Sequence, residues 1–334
     1  MKVLHLLPSF SRGGAEAVAE TLLREGQRRG VDSALDALPE GASLRRWALG
    51  RRDPGGIVHA HLPWPDRLGA ALLAARGRPL VVTFHLLPEP GRWPRDRALG
   101  APSPWCLRAA GRVRRSVRWV ALSRHDQGDL GALLGAPVEI VRNAPPAPPA
   151  RALTMPWEGP SLRVVTLGRL SWQKGLRRLL RALASPTLRA LPWQWCAAGE
   201  GEDRAALESD ARALGLSERV RFVGARNASE AFDGAELCVF PSVREGMPLV
   251  PLEATEAGVP VLVSALAPHR ELFETLPRAL LPEDEARWPE ALHRWFTDPP
   301  ARLALASAQR ALLGDDPRGA LWAAYEGLYR ALTR

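Results

Sequence analysis

Lysine is nearly missing from this sequence. Of 45 basic residues, all but Lys2 and Lys174 are arginine. A lysine kept inside a loop, as at Lys174, therefore points to a need for a compact ammonium charge. Cysteine is scarce too: Cys106, Cys196 and Cys238 show no paired spacing. That excludes a disulfide framework and a cysteine zinc site and makes a reducing cytoplasm the default. No stretch approaches the roughly 18 uncharged apolar residues of a membrane span. The opening apolar run, residues 1–10, is too short for a signal peptide and leads into a glycine turn. A G-x-G-x-x-G fingerprint is absent, which argues against a dinucleotide cofactor.

What is present suits two ordinary domains. The chain has 334 residues, 46% of them hydrophobic and 24% charged, enough for two separate cores. The net charge of +9 is uneven: residues 1–150 hold 22 basic against 13 acidic residues, whereas the remainder holds 23 of each. Between His85 and His125 nine arginines face only Glu89 and Asp96. A bias toward arginine explains the identity of these cations but not their clustering. The cluster is either a solvated face or a contact for an anionic partner such as lipid head groups, a phosphorylated glycan or nucleic acid. Resting on a membrane surface is compatible with it.

Short apolar runs alternate with helical periodicity along the whole chain, which predicts βαβ units around parallel sheets. In the first half, strands are expected at Val3–Leu7, Val31–Leu35, Ile57–His61, Leu80–Phe84, Trp119–Leu122 and Val138–Val141, with helices such as Ala15–Arg29 and Pro65–Arg76. The proline-rich run 144–150 suits neither helix nor central strand and reads as a linker. The alternation then restarts. Strands are expected at Leu162–Leu167, Trp193–Ala197, Val220–Phe222, Leu237–Phe240 and Val259–Val263. Helices are expected at Leu176–Ala184, Glu202–Leu214, Leu249–Ala257 and Pro268–Leu276. From Trp288 onward only helical patterns occur. The expected organisation is an α/β pair of doubly wound, Rossmann-like domains, 1–150 and 151–315, facing each other across a ligand cleft. A last helix at 316–334 is expected to cross back to the first domain.

Four motifs follow predicted strands, on the side where such domains bind ligands. Gly13 and Gly14 open the first helix, either for turn geometry alone or to let a ligand approach backbone N–H groups. Val82-Thr-Phe-His85 ends the fourth strand, and His85 is either a packing residue or a ligand contact. The run Leu167-Gly-Arg-Leu-Ser-Trp-Gln-Lys-Gly175 sets two cations, Arg169 and Lys174, around a glycine-bounded loop, a spacing that suits a diphosphate. The fourth is Pro241-Ser-Val-Arg-Glu-Gly-Met-Pro-Leu-Val-Pro-Leu-Glu253. Here Gly246 frees the backbone, Pro248 stands in the first turn of a helix, and the helix N-terminus favours an anion. Glu245 precedes that helix and Glu253 lies one to two turns inside it, so the two carboxylates reach different parts of one ligand.

Together these motifs resemble the family 4 retaining glycosyltransferases, which have the GT-B fold. Glu245 and Glu253 fit the family's E-x7-E pattern in the context EGMPLVPLEATEAGVPVLVS, and Gly168-Arg169-Leu170 with Lys174-Gly175 fits its phosphate loop. The segments 198–207 and Val220–Gly224 match as well, Gly224 near the donor base, and so do Gly13-Gly14-Ala15-Glu16 and Thr83-Phe84-His85. The resemblance implies that Arg169 and Lys174 hold the donor diphosphate and Glu253 the ribose. Glu245 and the amides of Gly246, Met247, Pro248 and Leu249 would take the transferred sugar and distal phosphate. Gly14 would approach the diphosphate, and His85 the sugar. Two departures, Met247-Pro248 for the commoner Phe-Gly and Asn143-Ala144 for Asn-Gly, bear on sugar selectivity rather than on the reaction.

The implied activity is retaining transfer of a hexose-type sugar from a nucleotide sugar, UDP-linked first and GDP-linked next by frequency in the family. The acceptor would be a glycan, a lipid-linked molecule or a small molecule. The nucleotide sugar is a co-substrate, and no cofactor is implied. No D-x-D-like pair sits on a metal-binding loop, and the cations can take a metal's place, so no metal requirement is expected. The protein is expected in the cytoplasm, with a peripheral contact to the inner membrane face through the basic first half; nucleic acid is not expected. A glycoside hydrolase fits poorly because the phosphate loop has no use in hydrolysis. A catalytically inactive sugar-nucleotide-binding protein of the same fold would keep all these donor motifs.

Overall fold

Runs such as Ile57-Val-His-Ala-His-Leu62 and Trp193-Gln-Trp-Cys-Ala-Ala198 are buried along their whole length, as central strands of a parallel sheet covered on both faces must be. The computed structural model describes residues 1–7, 13–37, 56–62, 75, 78–87, 116–148 and 153–333. The predicted helix 65–76 lies outside these residues except for Ala75. Most of the arginine-rich segment, 88–115, lies outside them as well. No helix among the described residues is long and apolar enough to cross a membrane.

The chain divides into two units, one of Met1–Pro146 with Asp316–Arg334 and the other of Ala147–Asp315. The first unit is built on six strands: β1 (Lys2–Leu7), β2 (Asp32–Ala37), β3 (Ile57–Leu62), β4 (Leu80–Phe84), β5 (Val117–Ala121) and β6 (Val138–Ile140). They pair in the order β2-β1-β3-β4-β5-β6, all parallel. Leu4, Leu6, Val58, Ala60, Val82 and Phe84 alternate onto one face and form its apolar core with α2 (Arg124–Leu134). Helix α2 has the expected boundary chemistry: Ser123 Oγ caps the Asp126 N–H, and Gly135 closes the helix in the left-handed region. On the other face lie α1 (Gly14–Arg28) and, from the chain end, the helix Pro317–Leu332, which packs along α1 and over β4 and β5.

The second unit carries β7 (Leu162–Leu167), β8 (Trp193–Ala198), β9 (Val220–Gly224), β10 (Leu237–Phe240), β11 (Val261–Ser264) and β12 (Leu280–Leu281). Its order is β12-β11-β10-β7-β8-β9, again all parallel. Successive connections run one way from β7 to β9 and then jump to β10 and run the other way. The topological switch point, where such sheets bind ligands, therefore falls between β7 and β10. Trp193 and Trp195 fill its core with their N–H groups satisfied by Leu188 O at 2.7 Å and Thr166 Oγ1 at 3.0 Å. The helices of six or more residues here are α3 (Leu176–Leu183), α4 (Arg204–Ala213), α5 (Leu249–Glu256), α6 (Ala267–Leu272), α7 (Trp288–Thr297) and α8 (Pro299–Leu312); the chain-end helix of the first unit is α9.

Several boundaries differ from the sequence reading. The second strand runs to Ala37, and α6 stops at Leu272, where Phe273 leaves helical geometry. Strand β12 was not foreseen, because two residues carry no periodicity. Pro248 is the N-cap of α5 in extended geometry rather than a member of its first turn. Gly246 does not take positive φ, whereas Gly168 and Gly175 do.

Candidate active site

At the switch point of the second unit, the loops leaving β7 and β10 are tied together. The Val243 N–H donates to Gln173 O at 2.8 Å, and the Arg178 guanidinium donates to Pro241 O at 3.2 Å and Ser242 O at 3.1 Å. Gly175 permits this approach. It sits at φ 63°, and a Cβ there would stand 2.2 Å from Pro241 O. Gly199, after β8, is bound in the same way, since its Cβ would stand 1.9 Å from Gly168 O. Gly175→Ala is therefore expected to lower unfolding free energy by at least about 2 kcal/mol, combining αL strain with a backbone clash. Urea titration checks this, and an unchanged midpoint would refute the close approach.

The tied loops bring Lys174 and Glu245 together across 71 residues of sequence, with Lys174 Nζ donating to Glu245 Oε1 at 2.7 Å. Ser242 Oγ donates to the same oxygen at 2.7 Å. Only 20% of the lysine side chain and 11% of the glutamate side chain are exposed, so water screens this pair far less than a surface ion pair. Lys174 Nζ also stands 4.8 Å from the Phe240 ring centre, a cation–π contact that further fixes it. Arg169 is not part of this pair: its side chain is 73% exposed and stands 3.7 Å from Glu202.

Helix α5 begins directly after this loop, at Leu249. It has no side-chain cap and no acidic residue in its first turn, so its positive end is left for an anion. Gly246, Met247, Pro248 and Leu249 are all buried at this entrance. Glu253, the fifth residue of α5, is half-buried. Burial, and secondarily the charge of Glu256, pushes its carboxyl up to about 7. Gly224 ends β9 beside Gly199, whose N–H donates to Gly224 O at 2.8 Å.

Two residues of this site escaped the sequence reading. Ser242 binds Glu245 as described, and its carbonyl accepts from Ser264 Oγ. His269, fully buried in α6, donates Nδ1–H to Ser264 O at 2.6 Å and meets Phe240 edge-on. Its Nε2 has no hydrogen-bond partner, and burial holds the ring below its ordinary pKa. Neither residue stands in a spacing that announces it; the contacts join the loop after β10, the end of β11 and helix α6.

In the first unit, Gly13 is the N-cap of α1, and the Glu16 carboxylate lies where a Gly13 Cβ would be, 2.6 Å away. Gly14 starts the helix. His85 follows β4, its backbone N–H donating to Leu62 O at 2.9 Å. Burial pushes its imidazole down to about 4, so at neutral pH it is an uncharged hydrogen-bonding group and not a further cation.

Two parallel sheets with these loops define an α/β protein of the glycosyltransferase GT-B class. Residues 156–311 match the Glycosyl transferases group 1 family and residues 36–145 match Glycosyltransferase Family 4. The D-inositol 3-phosphate glycosyltransferase 1 of Catenulispora acidiphila is 30% identical over 295 residues, covering 77% of this chain and 68% of that protein. The 2-deoxystreptamine glucosyltransferase of Streptomyces kanamyceticus is 26% identical over 308 residues, covering 84% and 77%. Among solved structures, Anabaena Alr3699/HepE in complex with UDP-glucose superposes with a TM-score of 0.73 at 19% identity, covering 100% and 99% of the two chains. The chain belongs to glycosyltransferase family 4.

Proposed function

We propose that this chain is a retaining, metal-independent glycosyltransferase that moves a hexose-type sugar from a nucleotide diphosphate sugar, UDP-linked by preference. The observation that carries this reading is the Lys174–Glu245 pair at the switch point, beside the uncapped start of α5. Lys174 and Arg169 bind the diphosphate, and Glu253 binds the ribose diol. Glu245 and the backbone of Gly246–Leu249 bind the sugar and distal phosphate. Gly224 adjoins the base, Gly13 and Gly14 serve the diphosphate, and His85 meets the sugar.

In the reaction the bond from the anomeric carbon to the phosphate oxygen breaks as the acceptor oxygen bonds to the same face. The acceptor proton passes to the leaving phosphate oxygen. Negative charge grows on the diphosphate, and Lys174 together with the positive end of α5 stabilises it without reorganising. Cations in these places do the work a metal ion does elsewhere.

Support for a UDP-sugar comes from the UDP-glucose complex of Alr3699/HepE. An acceptor bearing phosphate, as D-inositol 3-phosphate does in the Catenulispora relative, suits the excess positive charge of residues 1–150. A lipid-linked glycan at an anionic membrane surface suits the same charge, and we place the enzyme in the cytoplasm on that account.

A thermal-shift screen with UDP-, GDP- and ADP-sugars tests the donor, since a ligand at 100 times its Kd adds about 2.7 kcal/mol of stability. Turnover with EDTA present and NMR of the product anomer complete the test. Net inversion would overturn retention, and loss of turnover restored by Mg²⁺ would overturn metal independence. Binding with neither transfer nor donor hydrolysis would identify a binding protein instead.

A further inference from the structure

The face of the first sheet beneath α1 and α9 is not apolar where it should be. His5 of β1, His59 and His61 of β3 and Thr83 of β4 alternate onto it, all fully buried. Buried polar atoms must find partners, and these form two sets. The only two tyrosines of the chain, both from α9, serve the first set. Tyr329 Oη stands 2.6 Å from His59 Nδ1, Tyr325 Oη 2.9 Å from Thr83 Oγ1, and Thr83 Oγ1 2.9 Å from His59 Nε2.

The second set leads to His85. His5 Nδ1 lies 3.1 Å from His61 Nε2, and His61 Nδ1 lies 3.3 Å from His85 Nε2. Burial holds all three rings neutral at pH 7, so each carries one N–H. In the middle ring one nitrogen donates and the other accepts. It follows that the three rings carry their protons on the same nitrogen, either all on Nδ1 or all on Nε2. The second arrangement would leave a buried N–H on His5 Nε2, which has no partner. A buried donor without an acceptor is the rarer and costlier defect. The first leaves only a lone pair there.

We propose that His61 and His5 are positioning residues that hold His85 by its Nε2 and fix it as the Nδ1–H tautomer, so that it meets a ligand as a hydrogen-bond donor. This rests on the reading of His85 as a sugar contact. A donor there suits a sugar oxygen, and the wire passes hydrogen-bond polarity rather than charge. Nitrogens of His5, His59 and His61 also stand within 4.8 Å of one another. A metal ion among them would have to displace the His5–His61 hydrogen bond and a hydroxyl partner of His59.

Long-range ¹H–¹⁵N correlation of the ¹⁵N-histidine-labelled full chain at pH 7.5 reads the tautomers directly, with assignment by single variants. The expected result is Nδ1–H on His5, His61 and His85 alike. Mixed tautomers, Nε2–H on His85, or stoichiometric zinc in the purified protein would overturn the proposal. In His61→Phe, His85 Nε2 loses the donor that holds it, so the Nε2–H tautomer of His85 should gain population and kcat should fall about tenfold, the effect of one lost hydrogen bond. Should that variant not fold, His5→Leu removes the donor to His61 Nε2 and should raise the Nε2–H share on His61 and His85 together in the same spectra. Tyr325→Phe, which disturbs the same layer but not the wire, should leave His85 as Nδ1–H; a changed tautomer there would count against the wire. If His85→Ala kept full turnover, the sugar contact would fail while the tautomers still reported on the wire.

Discussion

Lys174→Ala is expected to lower kcat about a hundredfold, the usual effect of removing one preorganised donor from a developing negative charge. The lysine is held ready: Glu245 at 2.7 Å, the Phe240 ring at 4.8 Å, and only 20% side-chain exposure. Such a charge need not be recruited when the leaving group departs. The mutant should fold, because Glu245 keeps its bond from Ser242 Oγ and the loops stay tied by the Val243–Gln173 and Arg178 hydrogen bonds. A stability loss of about 1 to 3 kcal/mol is expected from the unpaired carboxylate. Lys174→Arg restores charge but spreads it over a planar fork, and should recover only part of the lost rate. Single-turnover kinetics with saturating donor, alongside circular dichroism, separates these effects. Undiminished kcat in a folded Lys174→Ala would remove Lys174 from the diphosphate.

Both doubly wound sheets were legible because parallel strands buried on two faces read as apolar runs, and ten of the twelve strands among the described residues exceed three residues. Strand β12 was not legible, since pairing with β11 decides it rather than local pattern, and the early end of α6 at Leu272 has no breaker residue in the sequence to announce it. Lys174 and Glu245 each stood out by closing a strand–loop–helix signal. Their contact did not, because it depends on how β7 and β10 neighbour each other at the switch point. The alternation His59-Ala-His61 inside a buried strand was a signal available in the sequence, as both rings must share one face. Its partners Tyr325 and Tyr329 lie more than 240 residues further on, beyond any local pattern.

Glu253 should make nucleotide binding strengthen as the pH rises through neutrality. Burial and Glu256 push its carboxyl up to about 7 from an ordinary 4.5, so near neutrality it is half protonated. The ionised form offers each hydroxyl of a ribose diol a charged oxygen, whereas the protonated form loses that charge assistance and turns one oxygen into a donor. UDP affinity should therefore strengthen about tenfold from pH 6 to pH 8, as the binding-competent fraction grows. Binding at pH 7 should release about half a proton per UDP, seen as a buffer-dependent heat in calorimetry. The stability of the unliganded protein runs the other way. Between the unfolded and folded pKa values the folded chain keeps a proton that the unfolded chain has lost, so raising the pH from about 4.5 to 7 destabilises the fold. The full effect is on the order of 3 kcal/mol. Glu253→Gln removes both trends: UDP should bind about 10- to 100-fold more weakly at pH 8, where a charge-assisted bond is lost, and with no slope between pH 6 and 8. At pH 8 the variant should be more stable than the parent, because the strained carboxylate is gone. A Glu253→Gln variant that bound UDP as tightly as the parent would take the ribose away from this residue. A parent whose affinity fell as the pH rose would show instead that the carboxyl is used in its protonated form.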